Sequence, residues 1–148
     1  MDLPTIMKRV ELFRGLNEDQ LGQVSDISRQ EVFDKGAVIV TQGATGDRMY
    51  IVSQGQVEVQ IRTAEGNTFP AIYLGEGQVF GEMALIDEGK RSASVVAVGD
   101  NTVLYSIPSE SFTDLCLTDT GIGYVMMRNL AQDLSFKLRH RDFDPSSS

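Results

Sequence analysis

The chain holds 148 residues with 13 Lys+Arg against 21 Asp+Glu, a formal charge of −8, and a single His and a single Cys. That length suits one domain able to bury roughly 70% of its unfolded surface. The acidic balance argues against a nucleic-acid surface, which needs clustered Lys and Arg, and one His with one Cys can build neither a usual zinc site nor an intramolecular disulfide framework.

The start, Met1-Asp2-Leu3-Pro4, lacks the basic opening and long apolar core of a signal peptide. No segment reaches the roughly 18 apolar residues that cross a bilayer. With the lone Cys suited to a reducing compartment, the expectation is a cytoplasmic protein with no membrane contact. Residues 1–29 read as helical. A turn or helix fits Thr5 to Leu12. Asn17 then offers an N-cap with Gln20 three residues on, a capping box, and Leu16 and Leu21 form a hydrophobic staple around it. Leu21, Val24 and Ile27 recur at helical spacing, giving a helix from about Asn17 to Ser28.

Residues 30–107 read as strand after strand. Val38 and Val40 alternate, then Tyr50 and Val52, then Val57, Val59 and Ile61 with Glu58 and Gln60 between them. Ile72 and Leu74, Val96 and Val98, and Val103, Tyr105 and Ile107 continue the period of two. Turn signals separate them: Lys35-Gly36, Gly43 to Asp47, Gln54-Gly55, Glu65-Gly66-Asn67, Gly75 to Gly77 and Gly99 to Asn101. Pro70 has no ladder donor and belongs at an edge or a bulge. Many short strands with glycine turns indicate a sandwich, jelly roll or barrel.

Residues 108–141 read as helical again. Pro108 opens a short helix through Leu115, and Thr118 or Asp119 caps a longer one. Ile122, Met126, Leu130, Leu134 and Leu138 form a drifting apolar stripe, widened by Val125, Met127 and Ala131. Its breadth leaves room for a homodimer seam or for an unidentified protein effector. Asp144-Pro145 stops the helix, and 142–148 reads as a disordered polar tail.

One stretch breaks the β pattern: Phe80-Gly81-Glu82-Met83-Ala84-Leu85, an acidic loop Asp87-Glu88-Gly89-Lys90, then Arg91-Ser92-Ala93-Ser94. Met83 to Ile86 allow little more than one turn of helix. The first N–H groups of such a turn need partners, and an anion can supply them. Arg91 brings a planar fork that matches a phosphate, and Ser92 a hydroxyl. Glu82 beside a phosphate makes sense as the acceptor for a sugar hydroxyl. The set suits a ligand with one phosphate and an adjacent ribose hydroxyl.

These residues resemble the phosphate-binding cassette of the cyclic-nucleotide-binding domain family, Phe-Gly-Glu-(Leu/Met)-Ala-Leu followed by Arg-(Ala/Thr/Ser)-Ala-(Ser/Thr). The Glu82-to-Arg91 spacing of nine fits kinase-type and channel-type members. Leu12-Phe13-Arg14-Gly15-Leu16 and Gly46-Asp47-Arg48-Met49-Tyr50-Ile51-Val52-Ser53-Gln54-Gly55 resemble two further motifs of that family. The resemblance implies a mainly β fold: a β-roll or jelly roll (double-stranded β-helix) with N-terminal helices, a short internal phosphate-binding helix and a long C-terminal lid helix, together one domain over residues 1–141. It implies a non-catalytic sensor of cAMP, or less favourably cGMP, with no cofactor or metal. Glu82 would accept the ribose 2′-OH, Arg91 would pair with the cyclic phosphate, and Ser92 would meet phosphate or base. N–H groups near Met83 to Leu85 would face phosphate and ribose, and Phe80, Gly81, Ala84 and Ala93 would complete the ligand-binding set. The lid charges Arg128, Lys137, Arg139 and Arg141 match no base-capping residue.

Competing readings are weaker. A cupin-like enzyme needs several His around a metal. An isolated Arg91 would be a salt-bridge residue with Glu82 as its natural partner. A ligand-free docking module would keep the glycines and apolar strands but would not need both Glu82 and Arg91. A DNA-binding regulator is opposed by the −8 charge and by the missing downstream domain.

Overall fold

The computed structural model describes residues 2–140. The expected stop at Asp144-Pro145 and the polar tail 142–148 lie outside the described residues. Asp2 caps α1 (Leu3–Met7), its Oδ1 accepting from the Thr5 N–H at 3.0 Å. A 3-10 turn follows at Glu11–Phe13, then α2 (Glu18–Asp26). The capping box is reciprocal: the Gln20 N–H donates to Asn17 Oδ1, and the Asn17 N–H to Gln20 Oε1, both at 2.9 Å.

Eight strands come next: β1 (Arg29–Phe33), β2 (Val38–Val40), β3 (Arg48–Gln54), β4 (Val57–Arg62), β5 (Thr68–Leu74), β6 (Val79–Phe80), β7 (Ser94–Ala97) and β8 (Thr102–Pro108). They form two antiparallel four-stranded sheets, ordered β1-β8-β3-β6 and β2-β7-β4-β5. A 3-10 turn at Glu82–Leu85 lies between β6 and β7, and α3 (Ser109–Thr118) and α4 (Thr120–His140) close the chain of elements. Asp119, one of the two expected caps, receives the Ile122 N–H on Oδ1 at 3.2 Å. Pro108 ends β8 and precedes α3 rather than beginning it.

β3 is the wall shared by two cores. Successive side chains point to opposite faces of a strand. Met49 and Ile51 therefore enter a helical core with Ile6, Met7, Phe112, Ile122, Met126 and Leu130. Tyr50 and Val52 enter the roll with Val57, Leu74, Phe80, Val95 and Leu104. Alternation along Tyr50 and Val52 identified the roll side alone; the helices cover the other face as well. Each such fully buried side chain contributes about 1.5–3 kcal/mol relative to exposure.

Pro70 sits where expected, on edge strand β5 and opposite Gln60, where the β4–β5 register shifts. Val38 does not. The β2–β7 register shifts between Val38 and Val40, so Ile39 and Val40 both pack on the roll core while Val38 is 59% exposed. A bulge reassigns faces in this way. The apolar stripe of α4 also divides. Ile122, Met126 and Leu130 are fully buried, but Leu134 and Leu138 are exposed.

Candidate functional site

The site forms where the loop after β2 meets the segment before β7. The Gly43 N–H donates to the Arg91 carbonyl at 2.9 Å, the Arg91 N–H to Ala44 O at 2.7 Å, and the Gly46 N–H to Gly89 O at 2.8 Å. This short ladder fixes the Arg91 backbone.

Its side chain then runs between two glycines. A Cβ on Gly46 would lie 2.8 Å from Arg91 Nε, and one on Gly81 would collide with Arg91 Nη1. Gly81 also has φ +75, a left-handed value that favours glycine. Arg91 Nη2 donates to the Arg48 carbonyl at 2.7 Å. The Arg48 side chain pairs with its own neighbour, Nε and Nη2 donating to the Asp47 carboxylate at 2.9 and 3.2 Å. Among the described residues no carboxylate forms an ion pair with Arg91. Burial draws its pKa below the ordinary value, yet a guanidinium stays charged. Among the described residues this half-buried cation has no carboxylate partner.

Glu82 opens the 3-10 turn that Gly81 precedes. Its side chain is 16% exposed, and its Oε1 receives Lys137 Nζ of α4 at 2.8 Å. Glu82 is therefore not the salt-bridge partner of Arg91. The turn is tighter than an α-helix, and the Ala84 N–H is consumed inside it by Gly81 O at 3.1 Å.

A cavity of about 510 Å³ joins these groups, its wall containing Gly46, Gly81, Glu82, Arg91, Ser92 and Lys137. Met83 and Ala84 line it as well. Phe80, Leu85 and Ala93 are not part of the wall. Phe80 stacks on Tyr50 at 4.9 Å inside the roll, and Leu85 faces the helical core. Sequence reasoning missed Gly46 and the two residues α4 supplies, Leu134 and Lys137. The Asp133–Lys137 spacing, one helical turn, was the available signal for the latter. A larger cleft of about 810 Å³ lies between Arg9–Arg14 and α4, also bounded by Glu82. Arg91 and the glycine cradle are not part of it. Among the described residues no helix is long and apolar enough to cross a membrane.

Comparison with known proteins agrees with this geometry. The sequence profile described as "Cyclic nucleotide-binding domain" matches residues 30–119. The Thermus thermophilus cyclic AMP receptor protein is 33% identical over 93% of this chain and 62% of its own length. The Caenorhabditis elegans cGMP-dependent protein kinase egl-4 is 33% identical over 76% of this chain but only 15% of the kinase. This chain therefore corresponds to a small part of such kinases. The regulatory domain of Toxoplasma gondii PKA, co-crystallised with cAMP, superposes with TM-score 0.76 at 30% identity, over 90% of this chain and 48% of that one.

Proposed function

The chain belongs to the cyclic nucleotide-binding domain family, and from that premise we propose that it is a non-catalytic sensor of a cyclic nucleotide monophosphate. It takes cAMP in preference to cGMP and passes occupancy on through α4. One observation carries the reading: Arg91, half-buried, lies between Gly46 and Gly81 on the cavity that Glu82 also lines. The Arg91 guanidinium pairs with the cyclic phosphate. Glu82 accepts the ribose 2′-OH, and the Ser92 hydroxyl on the same wall meets phosphate or base. The cyclic AMP receptor protein and the cGMP-dependent kinase are equally identical to this chain. The cAMP preference is supported by the solved relatives described with cAMP, the Toxoplasma gondii PKA regulatory domain and PfPKA-R.

A receptor rather than an enzyme fits the reactive groups. His140, the single imidazole, stands on the last turn of α4 with its ring edge against Phe136 at 4.1 Å. Signalling needs a bistable element whose two positions differ in ligand affinity. α4 meets that need because Leu134 lines the cavity. The exposed residues Tyr124, Met127, Leu134 and Leu138, with Ala131 among them, recur at three- and four-residue intervals along α4. That spacing suits a coiled seam with a second copy of the chain.

Thermal unfolding with cAMP, cGMP and 5′-AMP tests the reading. Ligand that binds only the native state adds about 2.7 kcal/mol at a hundredfold excess over its Kd. The expected order of shifts is cAMP, cGMP, then 5′-AMP. The absence of any shift with either cyclic nucleotide would refute it.

A further inference from the structure

Lys137 and Glu82 are 55 residues apart in the chain, yet Nζ stands 2.8 Å from Glu82 Oε1. Asp133, one turn earlier on α4, holds the same ammonium at 2.9 Å, an acid-before-lysine order that suits a helix. Burial pushes the Lys137 pKa down, but the bonds to Glu82 and then Asp133 outweigh it, and the ammonium is held above its ordinary value. An exposed pair of this kind would be worth little. Here only the carboxylate, 16% exposed, is sheltered, while the lysine side chain is 46% exposed.

With the pair formed, the cavity of about 510 Å³ remains open, and Lys137 is one of its walls. The ammonium is a lining and not a plug. It engages Oε1, which leaves Oε2 to accept a ribose hydroxyl. The charge problem of the site explains why this matters. A phosphate bound at Arg91 shares its cavity with Glu82 and Asp87 as well as with Lys90, in a chain of net charge −8. No long-range field assists such an anion. An ammonium on Glu82 offsets one of those two repulsions.

Resting on the cyclic-nucleotide reading, we propose that Lys137 is a positioning residue that α4 lends to the binding site. It neutralises and orients Glu82 so that the carboxylate can take a sugar hydroxyl beside a phosphate. The placement of Lys137 on the helix fits that role. The first half of α4 is fixed by the fully buried Ile122, Met126 and Leu130, and by Asn129 Nδ2 donating to Leu12 O and Arg14 O at 2.7 and 2.9 Å. Beyond Leu130, the side chains of Leu134, Phe136 and Leu138 are exposed. Among the described residues Lys137–Glu82 is the only hydrogen bond or ion pair between α4 and the roll.

Calorimetric titration of cAMP and cGMP into wild type, Lys137→Met, Lys137→Arg, Glu82→Gln and the Glu82→Gln/Lys137→Met double variant tests this. Lys137→Met should weaken binding about threefold to tenfold, and Lys137→Arg should restore most of it. In the Glu82→Gln background Lys137→Met should change little, because coupled residues are not additive. Bound nucleotide should slow amide exchange over residues 131–140 in wild type and not in Lys137→Met. Lys137 is at the surface, and an unchanged melting temperature certifies the fold of each variant. Unchanged binding by Lys137→Met overturns the proposal. Tighter binding overturns it too and makes Lys137 a competitor of the ligand, and an equal loss in both backgrounds removes the role through Glu82. A wild type that binds neither nucleotide refutes the functional reading itself, and this proposal with it.

Discussion

Arg91 donates from Nη2 to the carbonyl of Arg48 at 2.7 Å, and that bond, rather than a carboxylate, orients the guanidinium. A carbonyl partner satisfies a donor without cancelling the charge. The remaining donors of the fork stay available to a phosphate, at a site where Glu82 is engaged by Lys137. Arg91→Ala should therefore lose binding by about 30- to 150-fold, the worth of roughly 2–3 kcal/mol for a charge-assisted contact. Arg91→Lys should recover only part of it, since an ammonium lacks the planar fork. Isothermal titration measures both, and wild-type affinity in Arg91→Lys would contradict the bidentate role.

The two glycines around Arg91 make separable predictions. Gly46→Ala should weaken binding by displacing Arg91 while moving stability little, as no positive φ is involved. Gly81→Ala should do the same and also cost about 1–2 kcal/mol, because its φ of +75 is left-handed. Gly75→Ala meets open space and should be neutral in both respects. Chemical denaturation alongside ligand titration separates the effects. Normal binding by Gly46→Ala would contradict the cradle.

Much of this was legible in the sequence, for reasons that differ by residue. Asn17 and Gln20 announce a local cap, and the structure forms it. Pro70 reports the edge because a missing donor is a property of the residue itself. Val38 misled because a bulge shifts faces without changing composition. The covering of β3 on both sides was invisible, since the alternation of Tyr50 and Val52 describes one face alone. Gly81, Glu82, Arg91 and Ser92 stand out as a set because their types suit a phosphate beside a ribose, and the fold brings them to one cavity wall. Lys137 was one of several lid charges, and only folding brings it across 55 residues to Glu82.

Asp47 sets an acid limit. Its carboxyl is held below the ordinary 3.8, first by its hydrogen bond to Arg48. A depressed folded pKa contributes stability above the unfolded value that is lost as pH falls through the folded one. The stability gap between wild type and Asp47→Asn should stay flat from neutral pH to about 5 and close below 3.8. Lys137 has the opposite sign: raised above 10.5, its contribution fades only as pH climbs past that value. Urea unfolding across pH reads both, and an Asp47→Asn gap that widened in acid would reverse the sign.

Asp87 lies on the cavity wall with no basic partner among the described ion pairs. Asp87→Asn should tighten an anionic ligand about two- to threefold at low salt and by less at physiological ionic strength. Titration at two salt concentrations decides this. No dependence on salt would show that the loop potential is irrelevant to binding.

The α4 seam predicts a dimer in solution. Sedimentation should find wild type as a dimer at micromolar concentrations, and Met127→Glu with Leu138→Glu as a monomer that keeps its fold. A monomeric wild type would contradict the seam.

The central claim is that Arg91, held between Gly46 and Gly81, captures a cyclic phosphate. Its most direct test is calorimetric titration of cAMP into wild type and Arg91→Ala, with the fold of each verified by its melting temperature. The account predicts one site per chain in wild type and a site about 30- to 150-fold weaker in the variant. Equal affinity in a folded Arg91→Ala, or no heat of binding in wild type, would contradict it.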